Sequence, residues 1–137
     1  MKETDLALLN DARVATLATL SADGRPHVVP VVFARDGGDF VTSVDGKPKQ
    51  GRVLARIENV GRDPRVSLLA DHYEEDWSRL WWVRVDGEAS VETEGAAFDR
   101  ALTVLRGRYP QYGFVELTGP VIRIRIERTT SWVANAP

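Results

Sequence analysis

The sequence has 137 residues, the size of one domain, and carries a net charge of -2 at pH 7 with an isoelectric point of about 5.7. Apolar residues make up 43% and cysteine is absent, which predicts a folded core and excludes disulfides and thiolate metal sites. The mild acidity argues against a general nucleic-acid binder, and the two histidines, His27 and His72, are too isolated to predict a metal centre.

The N-terminal segment gives no sign of export. It lacks an apolar signal core, and no run in the chain approaches the ~18 apolar residues of a membrane span. We therefore expect a single domain over residues 1–137, located in the cytoplasm, with no membrane and no nucleic-acid partner.

Apolar periodicity and turn residues predict a mostly β domain. The expected elements, in chain order, are a helix over 4–12, strands over 13–20, 27–35 and 40–44, a helix over 51–60, strands over 65–71 and 79–92, a helix over 95–109, a strand over 121–127 and an irregular tail. The turns at Asp23-Gly24 and at 36–39 join the first three strands as hairpins, so the sheet is expected to be antiparallel. Six strands in so short a chain favour closure into a barrel, flanked by two or three helices.

The second predicted strand is apolar from Val28 to Ala34, without the alternation of a strand that faces water on one side. It is therefore expected to be covered on both faces, and Pro30 places it at a sheet edge or a bulge because proline donates no ladder hydrogen bond. A small barrel has one interior, so the second cover is expected to be another copy of the chain, giving a homodimer.

A cluster of cations follows the third predicted strand, in the stretch "VDGKPKQGRVLAR", where no acid occurs after Asp45. A helix is expected to begin near Gly51, and free N–H groups at a helix start favour an anion. The candidate anion ligands are two hydroxyl and four basic side chains: Thr42, Ser43, Lys47, Lys49, Arg52 and Arg56. The residues alone leave two interpretations, a phosphate site and a solvated basic turn; the GxxxxGK[ST] phosphate loop is absent.

The run "DWSRLWWVRVDGE" places three of the four tryptophans between Trp77 and Trp82. Because alternate strand residues share a face, Trp81 is expected in the core and Trp82 on an otherwise polar face. Trp82 is then either a surface indole or an anchor for a subunit interface or a flat ligand.

Four segments, 13–33, 40–50, 59–71 and 81–91, together resemble the split β-barrel flavoproteins related to pyridoxamine 5′-phosphate oxidase. The run "DHYEEDW…LWWVRVDG" is the most specific part, and the chain is most similar to the actinobacterial branch of oxidoreductases that depend on the deazaflavin coenzyme F420. The resemblance implies a six-stranded split barrel and a homodimer with the cofactor between subunits. It also implies that Lys47 and Lys49 hold the cofactor phosphate.

The chain departs from the vitamin B6 enzymes of this family. Its second predicted strand, "HVVPVVF", lacks their flavin-phosphate arginine, and the tail "SWVANAP" lacks their Arg-x-His pair, so vitamin B6 chemistry is not expected. Flavin mononucleotide (FMN) remains an alternative cofactor.

The resemblance implies hydride transfer from reduced F420 to a small organic substrate that the sequence does not identify. Backbone groups of Val29, Pro30 and Val31 would contact the cofactor ring. The proton for the substrate would come either from water or from a residue of the cleft, for which His27 and Tyr73 are candidates. The alternatives are an FMN-dependent oxidoreductase of the same fold and a cofactor-binding protein without turnover.

Overall fold

A computed structural model describes residues 1–44 and 54–134. This part of the chain forms three α-helices and seven strands. They are α1 (Glu3–Asp11), β1 (Ala15–Leu20), β2 (Pro26–Val31), β3 (Ala34–Asp36), β4 (Asp39–Ser43), α2 (Ala55–Arg62), β5 (Arg65–His72), β6 (Trp81–Glu92), α3 (Ala96–Arg108) and β7 (Val121–Val133). None of the described helices is long and apolar enough to cross a membrane.

The strands form one antiparallel sheet in the order β2-β1-β5-β6-β7-β4-β3. Its two end strands, β2 and β3, are joined in sequence by Val32 and Phe33 alone. The sheet must therefore curl until its two ends meet. The prediction of six strands was wrong by one, because the second predicted strand bends after Val31 and pairs with β1 by its first half and with β4 by its second. Pro30 lies on an end strand, as predicted.

The two predicted hairpin turns are confirmed. Gly24 has φ 84° between β1 and β2, and Gly37 has φ 62° between β3 and β4. Asp36 pairs with Asp39, so the second turn has the two-residue loop Gly37-Gly38. Such loops need positive φ, which glycine adopts without strain.

The core lies inside the curled sheet and beneath the helices. Residues of alternating position on β1, β5 and β6 face inward, including Leu17, Leu68, Val83 and Val85, which are fully buried. A second cluster under α3 contains Leu105, also fully buried. This confirms the predicted alternation on β6 and the apolar face of the third helix.

Two predicted elements differ from the structure. Helix α2 begins at Ala55 rather than near Gly51, and Leu54 before it is extended. Arg56 lies on this helix, and the expected pairing with Arg52 falls outside the described residues. The tail predicted to be irregular continues as β7 to Val133, because β6 is long enough to pair with it throughout.

The junction where the sheet ends meet is held by polar side chains from α3 and its C-terminal end. The Tyr109 hydroxyl accepts from the Phe33 N–H at 3.1 Å and donates to the Phe33 carbonyl at 2.8 Å. The Arg108 guanidinium donates to the same carbonyl and to the carbonyls of Leu9, Asn10 and Ala12. Burial lowers the pKa of Arg108. We call these contacts of Tyr109 and Arg108 the closure junction.

Candidate functional site

A cavity of about 230 Å³ lies next to the closure junction, and we call it the Arg56 groove. Its lining combines the end of β2, the end of β4 and the start of α2. The lining residues are Val14, Pro30, Val31, Val32, Ser43 and Arg56. The curl of the sheet thus brings four of the sequence-predicted cofactor residues, Pro30, Val31, Ser43 and Arg56, to one cavity.

The two predicted hydroxyl residues are buried beside this groove. The Thr42 hydroxyl donates to the Val32 carbonyl at 2.7 Å, which ties β4 to the bend after β2. The Ser43 hydroxyl lies 3.3 Å from the Val44 carbonyl and 3.2 Å from the Pro120 carbonyl. Both side chains are at most 5% exposed, so Thr42 positions the groove while Ser43 lines it.

An apolar cavity of about 220 Å³ adjoins the groove, since Val14 and Val32 line both. Its other walls include Tyr109, Tyr112 and Val115. Phe114, the neighbour of Val115, is 95% exposed. The combined surface therefore has Arg56 at one end and mainly apolar walls at the other, where Arg13 lies over the Tyr109 ring.

Strand β2 offers backbone groups as well as side chains. Within the described residues it pairs with β1 alone, so alternate N–H and C=O groups along its other edge have no ladder partner. Val29 is half-buried on the inner face, and Val28 and Pro30 are exposed on the outer face. An edge of this kind can hydrogen-bond the polar rim of a flat heterocycle.

The outer face of β2 and β1 carries exposed apolar side chains, and Leu69 of β5 extends this patch, whereas β6 places Arg84 and Asp86 on the same face. Val28 is 58% and Leu69 36% exposed, and the strand registers place Pro30, Thr16 and Leu69 in one cross-strand row. Exposed apolar side chains that adjoin in this way mark a surface that another molecule covers.

A cavity of about 370 Å³ opens at the end of this outer face, and we call it the aromatic cleft. It is lined by Leu69, Asp71, His72, Tyr73, Leu80, Trp81, Trp82, Arg84 and Trp132. Trp82 and Trp132 are direct cross-strand partners on β6 and β7. The His72 ring stacks on Trp81 with centroids 6.5 Å apart and an angle of 21° between the rings.

Charged groups adjoin the aromatic cleft on two sides. His72 Nε2 contacts the Glu74 carboxylate, and Arg79 lies 3.4 Å from that carboxylate. On the outer face, Asp86 is partly buried; burial acts to raise the pKa of its carboxyl, but hydrogen bonds from Ser67 and Arg128 outweigh it and the pKa is lowered.

The remaining sequence-predicted residues lie apart from the groove. Tyr73 is 73% exposed at the aromatic cleft, whereas His27 is half-buried opposite Thr19, at the far end of β1. The structure does not bring these two candidate proton donors together. Trp82 lies three strand spacings from the end of β2, about 14 Å across the sheet. The predicted phosphate ligands Lys47, Lys49 and Arg52 lie outside the described residues.

Sequence reasoning missed His72, Glu74 and Trp132. His72 is the last residue of β5, and Glu74 follows it by two residues. This spacing would have suggested a pair if the strand had been predicted to end at His72 rather than at residue 71. Trp132 was missed because the tail was expected to be irregular. In the described part of the chain, no group of three or more possible metal-ligating side chains comes together.

Comparison with solved structures shows that the fold is widespread. The conserved hypothetical protein Rv2991 from Mycobacterium tuberculosis is 27% identical, with a TM-score of 0.75 over 98% of this chain and 86% of that chain. HupZ from Group A Streptococcus is 22% identical (TM-score 0.69; 96% of this chain, 98% of that chain). The heme storage protein HutZ from Vibrio cholerae is 16% identical, with a TM-score of 0.73 over 96% of this chain and 93% of that chain. The last two share the fold, and a fold alone does not determine function.

The sequence itself decides the family. The profile described as pyridoxamine 5′-phosphate oxidase matches residues 1–133, which includes every strand and helix of the structure. The curled antiparallel sheet agrees with that match, and the chain belongs to the pyridoxamine 5′-phosphate oxidase family.

Proposed function

We propose that the protein is an oxidoreductase that transfers hydride from reduced coenzyme F420 to a small organic substrate. The observation that carries this proposal is the Arg56 groove, where a guanidinium and a hydroxyl lie beside an open strand edge and an apolar cavity. An anionic cofactor with a flat heterocyclic ring needs these three features together.

The groups that line the groove suit such a cofactor. Arg56 supplies positive charge at the start of α2, where the helix dipole adds to it. The sequence just before Arg56 contains Lys47, Lys49 and Arg52, so this stretch of sequence carries more cations than a single phosphate requires. This surplus favours F420, which has a longer anionic tail, over FMN.

The cofactor supplies the hydride when it is bound, and the protein supplies position. The cations hold the anionic end, Ser43 lines the groove beside it, and the edge of β2 from Val29 to Val31 orients the ring. The apolar walls at Val14 and Val115 exclude water from the ring. His27 and Tyr73 stay candidates for the proton donor, with Tyr73 the more accessible.

Cofactor preference is tested by side-by-side fluorescence titration with F420 and FMN. We expect tighter binding of F420; equal or tighter binding of FMN would favour the alternative of an FMN-dependent oxidoreductase. Turnover is tested separately by following oxidation of bound reduced F420 against a panel of uncharged acceptors. Binding without oxidation by any acceptor would favour a cofactor-binding protein without turnover.

The phosphate ligands are tested by replacing Lys47 and Lys49 together with Ala. Since a charge-assisted hydrogen bond contributes about 1.5–3 kcal/mol, cofactor affinity should fall about tenfold or more. The salt dependence of binding should also decrease because fewer charges attract the cofactor. Lys2 in α1's N-cap provides a control, since Lys2→Ala removes an exposed lysine from a different cavity. Parental affinity of the double variant at low salt would show that the segment is a solvated turn.

The same proposal includes a homodimer formed through the outer face. Val28, Leu69 and the half-buried Trp82 lie on this face, and a second copy would cover them. Trp82→Ala should weaken the dimer, the cofactor affinity or both. Trp81→Ala should lower the free energy of unfolding, because Trp81 packs against the core. Analytical ultracentrifugation measures whether the chain is a dimer in solution. A monomer at micromolar concentration that binds cofactor at full strength would contradict a cofactor site shared between two subunits.

A further inference from the structure

We infer that the chain has a second ligand site, which binds a small zwitterion with a primary ammonium group at one end, a carboxylate at the other and an apolar chain between them. The site is a cavity of about 570 Å³, which we call the Asp5 cavity. This volume falls in the range of small-molecule sites, which is roughly 300–1,000 Å³. Its walls are the N-terminal end of α1, the hairpin of β3 and β4, and the middle of β7.

The Asp5 cavity is separate from the surfaces discussed above. None of its lining residues belongs to β2, β1, β5 or β6, and it shares no lining residue with the Arg56 groove or the apolar cavity beside it. Arg128 at its rim donates to Asp86 of the outer face, so we do not count Arg128 among the ligand-binding groups. The cavity therefore stays open whether or not a second copy covers the outer face.

The carboxylate of Asp5 is a buried charge without a partner. Asp5 is 4% exposed, and what remains accessible of its side chain opens into the cavity that it lines. Buried charges in proteins are normally paired, yet within residues 1–44 and 54–134 this carboxylate makes no hydrogen bond and no ion pair. It lies in the first turn of α1, where the helix dipole favours negative charge. A ligand that brings a positively charged donor into the cavity would supply the missing partner.

The exposed rim of the cavity carries mainly the opposite charge. Lys2 and Arg35 are exposed and line the cavity, and neither forms an ion pair with another described residue. Arg35 Nε donates to the Gly37 carbonyl at 2.7 Å, which anchors the side chain to the hairpin turn and leaves its terminal nitrogens free to donate. Glu127 is the one acid among the exposed lining residues, so cations outnumber acids at the rim.

This separation of charge selects a zwitterion. A ligand with positive charge alone would meet Lys2 and Arg35 at the rim, and a ligand with negative charge alone would meet Asp5 inside. The half-buried side chains of Leu6 and Ile126 also line the cavity and suit an apolar chain. The matching ligand places its ammonium group on Asp5 and its carboxylate on the rim cations.

The test is isothermal titration calorimetry of the full chain, without cofactor and at neutral pH, with three ligands of similar length. They are 6-aminohexanoate, hexylamine, which lacks the carboxylate, and hexanoate, which lacks the ammonium group. We expect saturable binding of one 6-aminohexanoate per chain, at least tenfold tighter than that of either of the others, because each charge-assisted contact contributes to it. Since no cofactor is present, the outcome does not depend on the function proposed for the Arg56 groove.

Variants at the two ends of the ligand assign the binding to the cavity. Asp5→Asn keeps the shape of the side chain and removes its charge, so it should weaken 6-aminohexanoate about tenfold and leave hexanoate no weaker than in the parent. Glu3→Gln is the matched control, because Glu3 is an exposed acid in the same turn of α1 that does not line the cavity; it should change neither affinity. Lys2→Gln combined with Arg35→Gln should weaken 6-aminohexanoate about tenfold and hexylamine not at all, and this variant repeats the test if Asp5→Asn does not fold.

Three results would overturn the inference. One is the absence of saturable binding of 6-aminohexanoate. Another is binding of hexylamine or hexanoate as tight as that of 6-aminohexanoate, which would mean that the cavity does not recognise both charges. The third is an equal effect of Asp5→Asn and Glu3→Gln, which would mean that the ligand is attracted by the charge of the helix end and does not bind in the cavity.

Discussion

The closure junction makes a sharp prediction about Tyr109→Phe. Tyr109 is 4% exposed, and its hydroxyl is the partner of the buried Phe33 N–H. Removing the hydroxyl takes away the acceptor of this buried N–H. The Phe33 carbonyl keeps the Arg108 donor, so the loss falls mainly on the N–H. An unsatisfied buried donor costs about 1–3 kcal/mol.

The free energy of unfolding is measured by urea titration. With a loss of about 2 kcal/mol and an m-value of about 1.5 kcal/mol/M, the midpoint should fall by about 1.3 M. Tyr73→Phe is the matched control, because it removes the same hydroxyl from a side chain that is 73% exposed and should change stability by less than about 0.5 kcal/mol.

The same variant also reports on the site. Val32 lines the groove and precedes Phe33, so a loosened junction should weaken cofactor binding although Tyr109→Phe leaves Arg56 and Ser43 intact. If Tyr109→Phe and Tyr73→Phe have the same midpoint, the hydroxyl does not hold the sheet ends together and the explanation of the junction is wrong.

Two further predictions concern backbone space and charge. Gly87→Ala should lower the free energy of unfolding by on the order of 3 kcal/mol, because its Cβ would lie 2.1 Å from the Arg125 carbonyl oxygen. Gly107→Ala, in open space on α3, should instead raise the free energy of unfolding by about 1 kcal/mol. Thermal unfolding of both variants tests this, and a loss of stability in both would contradict it. The Arg65 side-chain and backbone donors lower the pKa of Asp63 to about 2 from 3.8, so this carboxylate stabilises the fold fully above about pH 4 and loses that effect as pH falls through about 2. Titration followed by NMR should show the low pKa in the parent and a higher pKa in Arg65→Ala, in which the backbone N–H of residue 65 still donates to Asp63; an unchanged pKa in the variant would show that the Arg65 side chain is not the main cause.

Local pattern predicted much of the fold because its signals were short-range. The Asp-Gly and Gly-Gly turns define their hairpins by backbone conformation, and the inward residues of β6 follow the period of a strand. The third helix followed from its apolar spacing, with Leu102 and Leu105 buried as expected.

The failures came where a distant partner determines the structure. The strand containing Val32 looks continuous in sequence, but it bends because β1 and β4 each pair with one half. The polar tail up to Val133 is a strand because β6 pairs with it, and this pairing brings Trp132 beside Trp82. A single-sequence pattern does not contain either partner, so the aromatic cleft could not be predicted although each of its residues was visible.

The position of the candidate site follows from how the sheet closes. A barrel in which β2 paired along both edges would expose no backbone donors there. Here β2 pairs with β1 alone within the described residues, the chain bends after Val31 so that β3 pairs with β4, and the closure junction holds the bend in place. The Thr42 hydroxyl holds the bend at Val32 by donating to its carbonyl, and the last residues of the open edge, Pro30 and Val31, line the groove. The residues that hold the two ends of the sheet together therefore also form one boundary of the candidate site. A substitution at the bend should therefore change stability and ligand binding together.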